Sequence, residues 1–345
     1  TITTDHFSLY QIELRATEAV AETTPGTLKG YIGNNVFKDG GTFVLEGDAF
    51  TAEGGSQANL TISQDTIIDL EGHKLTISQP GQQFEIQQGA TLTILDSATK
   101  DSAAADKIVA TESGSSKLYG NAATLEDNGT LTYYITRSAP KNDGTGTRET
   151  LEKHELDLTN TGIIENSADA GGDQIFWVNG GTLNLESGVL RNKADNKRLV
   201  CVSGGAFQMS GGYIVGGKRN EGGGVYISNN GTMKMKAGVI AANKSNLGGG
   251  IYAGGGTLDL SGGVVTGNQV VKSSSCGSGG GIFVTNATLN LSDEAYVTNN
   301  ILQQCNCPEN DVNNTHGGGG ITIGNGSTMN MFGGYVTGND AWLAG

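Results

Sequence analysis

Proline is nearly missing from this chain, with four residues in 345 against 56 glycines. Collagen is thereby excluded, because glycine does not fall at every third position and imino acids are too few. No apolar run is long enough to span a bilayer, and no stretch has the order of a signal peptide. Direct membrane insertion is not expected, and export and anchoring signals are expected elsewhere, in a longer surface-anchored chain. Positive charge is scarce as well: 21 Lys and Arg stand against 35 Asp and Glu, a net charge of −14. Without a basic stripe to neutralise phosphates, nucleic acid is a poor partner. Anionic membranes and polyuronates are poor matches too, unless calcium bridges them. Disorder is excluded for a different reason, since apolar residues recur in strict register.

From residue 174 onward a unit of about 25 residues recurs, the signature of a solenoid whose repeats bury their apolar faces against each other. One copy runs Gly222-Gly223-Gly224-Val225-Tyr226-Ile227, then Gly231-Thr232-Met233-Lys234-Met235, then Gly238-Val239-Ile240 and Asn243. The next reads Gly248-Gly249-Gly250-Ile251-Tyr252, Gly256-Thr257-Leu258-Asp259-Leu260, Gly263-Val264-Val265 and Asn268. Each unit holds three short alternating runs closed by Gly, Asn or Asp, which is the pattern of strands and turns. The first run places Phe176, Val200, Val225, Ile251, Ile282 and Ile321 in equivalent positions, at steps of 24, 25, 26, 31 and 39 residues. The second gives Leu183, Phe207, Met233, Leu258, Leu289 and Met329, each with an apolar partner two residues on. The third gives Leu190, Ile214, Ile240, Val265, Val297 and Val336. A period of two turns these residues to one face, and glycine supplies the corners where positive φ is needed.

The predicted fold is all-β, a right-handed parallel β-helix of three sheets. Residues 1–54 are expected to form an N-terminal cap and a first irregular turn of the helix, with Phe7, Leu9, Ile12 and Leu14 covering its end. Residues 55–345 form the helix proper, with an insertion at 100–160 and glycine-rich repeats at 174–342. Trp342 is the candidate plug at the far end. The insertion reads as a β-hairpin, Thr130–Thr136 and Thr150–Leu158 about the Asn142-Asp143-Gly144 turn. It either projects from the helix or lies as a flap shielding one side.

The Gly-Gly-Gly-Ile/Val motif, followed by Gly-x-Leu-x-Leu-Ser-Gly-Gly and Thr-Gly-Asn, resembles the β-helical repeats of bacterial adhesin-like surface proteins. It is similar to chlamydial polymorphic membrane proteins and autotransporter passengers, and nearer to the adhesin-like repeats of Gram-positive gut bacteria. The third residue is Gly where those passengers have Ala, at Gly224, Gly250, Gly281 and Gly319, and no Phe-x-x-Asn closes the unit. Ile68 to Leu75 resembles the opening coils of pectate-lyase-like helices. The resemblance covers residues 55–100 and 160–342. It implies a secreted or surface-displayed protein, and it brings no catalytic residues with it.

Two surface features are candidates for binding. The outer positions of the first run are Trp177, Cys201, Tyr226, Tyr252, Phe283 and Thr322, and the positions before the third-run core are Val189, Tyr213, Val239, Val264, Tyr296 and Tyr335. Aromatic rows of this kind could carry sugars on their faces, although like-on-like stacking along a sheet produces them without any ligand. The second feature is a pair of insertions at one corner, bearing Cys276, Cys305 and Cys307. A disulfide from Cys276 to one of the other two, three free thiols, or a metal set completed by His316 all fit the spacing. Cys201 has no evident partner.

Paired carboxylates on adjacent repeats would signal a polysaccharide lyase or hydrolase. The outer second-run positions hold instead Asn184, Gln208, Lys234, Asp259, Asn290 and Asn330, a pattern of surface pairing by Lys234 and Asp259. Glu165, Asp169 and Asp173 read as solvated turn residues. No catalytic residue, cofactor or metal is assigned. The expected function is an extracellular, cell-surface adhesin-like domain that binds or displays toward a glycan or protein. The alternatives are a polysaccharide-cleaving enzyme and a structural stalk. Function is expected in the elaborations, so loss of residues 136–150 should leave stability nearly unchanged. Leu258→Asp should unfold the flanking repeats, costing several kcal/mol through an unpaired core carboxylate. Chemical denaturation of the variant measures it.

Overall fold

The structure, a computed structural model, describes residues 25–51, 59–100, 106–113, 119–127, 129–141, 147–167, 172–271, 277–303 and 317–341. The expected cap residues Phe7, Leu9, Ile12 and Leu14, the Asn142–Gly144 turn, Asp169, Cys276, Cys305, Cys307, His316 and Trp342 lie outside them. Among the described residues the protein is all-β apart from two short 3-10 turns, Ser97–Lys100 and Leu158–Asn160.

Each apolar run of the repeat becomes a rung in a long parallel ladder. The first ladder passes through Leu60–Ile62, Phe84–Gln87, Gln174–Asn179, Arg198–Ser203, Val225–Ser228, Ile251–Ala253, Ile282–Val284 and Ile321–Ile323. Its register pairs Phe176, Val200, Val225, Ile251, Ile282 and Ile321 in succession. The second and third ladders diverge from one strand, Gly41–Thr51, which pairs with both Thr66–Asp69 and Lys74–Ile77. Leu183 to Met329 keep register along the second, and Leu190 to Val336 along the third. The three inward stacks merge into one apolar core. At the last repeat that core opens to solvent, with Met331 53% and Val336 41% exposed. Long parallel sheets with this repeat are compatible with a solenoid.

A fourth ladder, beyond the three expected, follows the third: Lys244–Ser245, Gln269–Val270, Ile301–Leu302 and Asp340–Ala341. At the corner between them stands a buried column of asparagines. The backbone N–H and side-chain amide of Asn243 both donate to Asn268 Oδ1, at 3.1 and 2.9 Å. Asn268 repeats this toward Asn300 at 3.1 and 2.9 Å, and Asn300 toward Asn339 at 3.0 and 3.0 Å. Each amide also donates to a strand carbonyl of the preceding repeat, as Asn268 does to Ile240 at 2.9 Å. Only a side chain with donor and acceptor on one planar head can serve in such a column. The residue before each asparagine is left-handed, with φ of 56° at Ala242, 60° at Gly267, 53° at Asn299 and 62° at Gly338.

The insertion forms an antiparallel sheet of four strands, in the order Lys107–Ser113, Thr147–Asp157, Thr130–Pro140 and Thr124–Leu125. The hairpin exists, with Thr130 opposite Asp157 and Pro140 opposite Thr147. It does not project. Alternation puts Leu131, Tyr133, Ile135 and Leu156 on one face, and that face packs on Val189, Val215, Val239, Ala241 and Tyr296 of the third ladder to make a second core. One strand of the hairpin meets three successive repeats. Thr266 Oγ1 donates to the Tyr134 carbonyl, Thr136 N–H donates to Thr298 Oγ1 at 3.1 Å, and Thr337 Oγ1 donates to the Thr136 carbonyl at 2.6 Å. The preceding segment runs alongside as a strap. Gly120 N–H donates to the Gly338 carbonyl at 2.9 Å, Asn121 Nδ2 to Asn299 Oδ1 at 3.0 Å, and Ala123 N–H to the Gly267 carbonyl at 3.1 Å. A Cβ on Gly267 would lie 2.2 Å from the Ala123 nitrogen, so the strap fits only over glycine there. Loss of residues 136–150 would therefore strip buried Thr136 and with it the hydrogen bonds to Thr298 and Thr337, and stability would not be spared.

Asn268→Ala should cost about 3 kcal/mol, because it leaves the buried Asn243 N–H and Ile240 carbonyl without partners. Asn268→Asp should cost more, since a carboxylate cannot donate and carries buried charge. Urea unfolding midpoints of the two variants check the order.

Candidate functional site

In the first ladder, alternation sends every second side chain outward, and parallel register sets Trp177, Cys201, Tyr226, Tyr252 and Phe283 in one line. All five are half-buried. Strands at ~4.8 Å spacing leave like rings little choice but to stack. Tyr226 and Tyr252 lie 5.1 Å apart at 5°, Tyr252 and Phe283 5.4 Å apart at 20°. The row therefore offers ring edges and two phenol hydroxyls, whereas its ring faces are taken up by each other. The Arg198 guanidinium extends the stack, 4.2 Å over the Tyr226 ring at the level of small Cys201. Burial pulls Arg198 below its ordinary pKa, and its Nε has no hydrogen-bond partner among the described residues. Burial likewise raises Tyr226 and Tyr252 above the usual phenol value.

The second aromatic row lies under the insertion. Val189, Val239 and Tyr296 belong to the second core, with Tyr213, Val264 and Tyr335 packed against it. Tyr296 is only 8% exposed, stacks on Tyr335 at 4.5 Å, and carries Arg137 4.9 Å above its ring. Sequence periodicity turns both rows away from the main core, but it does not show that a sheet from earlier in the chain covers one of them. A polar lock holds that sheet. His154 Nδ1 lies 3.2 Å from Asp106 and its Nε2 3.3 Å from Glu152, and Glu152 accepts from Arg137 Nε at 2.7 Å. The Tyr133 hydroxyl donates to Asp106, and burial pushes Tyr133 far above the usual phenol pKa.

Where the insertion's edge strand crosses the corners of the repeats, it leaves a furrow of about 610 Å³. Its floor carries Arg191, Lys193, Lys218 and Lys244, its roof Glu126 and Asp127. A smaller cleft of about 260 Å³ shares Asp127, Arg191 and Lys193 and continues toward Lys74 and Asp48. Glu165, which reads as a solvated turn residue, is buried behind this floor. It accepts from Arg191 Nε at 2.8 Å and lies 2.9 Å from Lys193 Nζ. Lys218 pairs with Asp195 at 2.6 Å, both exposed. Asp173 meets Arg219 at 2.9 Å. Asp259 accepts from Asn290 Nδ2 at 2.6 Å, with no ion pair to Lys234 among the described residues. The furrow had one signal in the sequence, lysines at 193, 218 and 244, steps of 25 and 26 residues.

No family model, no curated protein and no solved structure matches the chain.

Cys201 is the free cysteine of the described residues, and burial raises its thiol above the ordinary value. The thiolate is the reactive form, so Cys201 should alkylate well below the rate of a free thiol at pH 8 in the native state. Labelling with iodoacetamide before and after denaturation, read by peptide mass spectrometry, checks this.

Proposed function

We propose that the chain is a right-handed parallel β-helix from an extracellular, cell-surface adhesin-like protein, and that it binds a glycan or protein along its aromatic ridge without catalysing a reaction. The ridge carries the reading. Trp177, Tyr226, Tyr252 and Phe283 stand half-exposed in one line. Aromatic anchors with a polar tip dominate recognition surfaces, where they supply contact area at low entropic cost. A row held rigid by its own stacking is already ordered before a ligand arrives. The ring edges and the Tyr226 and Tyr252 hydroxyls suit an extended ligand lying along the stack, with hydroxyl or backbone groups to hydrogen-bond. The adhesin-like repeats agree with display at the cell surface. A stalk is the second reading, favoured by the axial strap that ties Gly267, Asn299 and Gly338 together.

Binding to glycan and protein arrays should identify a ligand whose affinity falls at least tenfold in Tyr252→Ala. That substitution removes two ring stacks, so it should cost stability only about 1–3 kcal/mol. Capture of nothing by the wild-type chain would leave the stalk. Release of reducing ends or unsaturated products from a polysaccharide panel would overturn the non-catalytic reading.

A further inference from the structure

We infer that the furrow beneath the insertion's edge strand is a second binding site, separate from the ridge, and that it takes a sulfate ester of an oligosaccharide. The floor is made by repetition. Lys218 and Lys244 occupy bridged positions in adjacent repeats, so their stems leave the backbone ~4.8 Å apart along the axis. Two ammonium groups on flexible stems at that spacing can converge on one tetrahedral anion between them. Lys244 is exposed and has no ion pair among the described residues. The Lys218–Asp195 pair is exposed on both sides and is worth little in water, so an incoming anion can replace it. Arg191 and Lys193 are already committed to buried Glu165, and they form the fixed end of the floor.

The kind of cation chooses the kind of anion. A carboxylate is matched best by the planar fork of arginine, and the arginine here is spent on Glu165. The cations free to move are lysines, point charges suited to the rounder sulfate group. The rest of the lining favours a sugar. Glu126 and Asp127 overhang as acceptors for hydroxyls, with Gln269 as a neutral partner, and no aromatic residue lines the furrow among the described residues to receive a peptide side chain. The carboxylates on the roof also oppose a polyanion of high charge density such as nucleic acid. In a chain of net charge −14, attraction confined to this furrow would orient the ligand across the corners of the repeats.

Isothermal titration with three probes tests the site: a chondroitin sulfate hexasaccharide, the same hexasaccharide desulfated, and a hexaglutamate peptide. The sulfated sugar should bind, with affinity falling as salt rises, and the other two should bind at least tenfold more weakly. The double variant Lys218→Ala/Lys244→Ala should lose tenfold or more for the sulfated sugar with an unchanged melting temperature, because both side chains are exposed. Tyr252→Ala should bind it as the wild type does, which separates this site from the ridge whichever of the two fails. Equal binding of the desulfated sugar or the peptide, an undiminished double variant, or no binding of the sulfated probe overturns the inference.

Discussion

Everything in this protein depends on the repeats staying in register, and from Asn243 to Asn339 the asparagine column enforces it. Apolar stacks alone tolerate sliding, since valine packs on isoleucine or leucine almost equally well. An amide that must receive two hydrogens from the repeat before and give one back to a strand carbonyl has no such latitude. Shift one of these repeats by a residue and the buried donors at its corner go unmet, at a cost of kilocalories each. The column also explains the left-handed residues before it, which turn the chain so that each amide points inward.

The insertion converts one face of this stack into an interior. Val215 and Ala241, like Val189 and Val239, would be odd residues for an exposed sheet face, and they are buried because Leu131, Tyr133 and Ile135 lie on them. Where the sheet stops, its edge and the corners of the repeats do not quite close, and the furrow is the gap. The open ridge and the sheltered furrow thus arise from one arrangement: among the described residues the third ladder is roofed and the first is not.

Most of the architecture was legible in the chain. Alternation at Leu183/Leu185 and Leu258/Leu260 identified inward faces, and the 24-to-26-residue step identified which residues stack on which. The hairpin at 130–158 was legible from its own alternation. Its docking was not, because an apolar face in sequence does not name its partner, and Val239 reads the same under solvent or under a sheet. The asparagines were visible as turn residues, but their role depends on burial at a corner too short to form a strand. Glu165 reads as a solvated turn residue for a related reason: its partners, Arg191 and Lys193, sit a full repeat later. Ring stacking was foreseen from register, and its consequence for ring faces needed the interplanar angles.

Repeat proteins usually gain and lose units freely, since each touches only its neighbours. The strap removes that freedom here. Gly120, Asn121 and Ala123 meet Gly338, Asn299 and Gly267 one after another, while Leu125 rests against Gly216. These are a graduated set of contacts, laid down once and early in the chain, and they count repeats as a gauge counts teeth. A duplicated or deleted unit within 216–338 would still stack on its neighbours, yet every mark beyond it would fall on the wrong corner. The strap thus makes the number of repeats between Gly216 and Gly338 a dimension of the structure, fixed by the length of a segment that is not itself repeated.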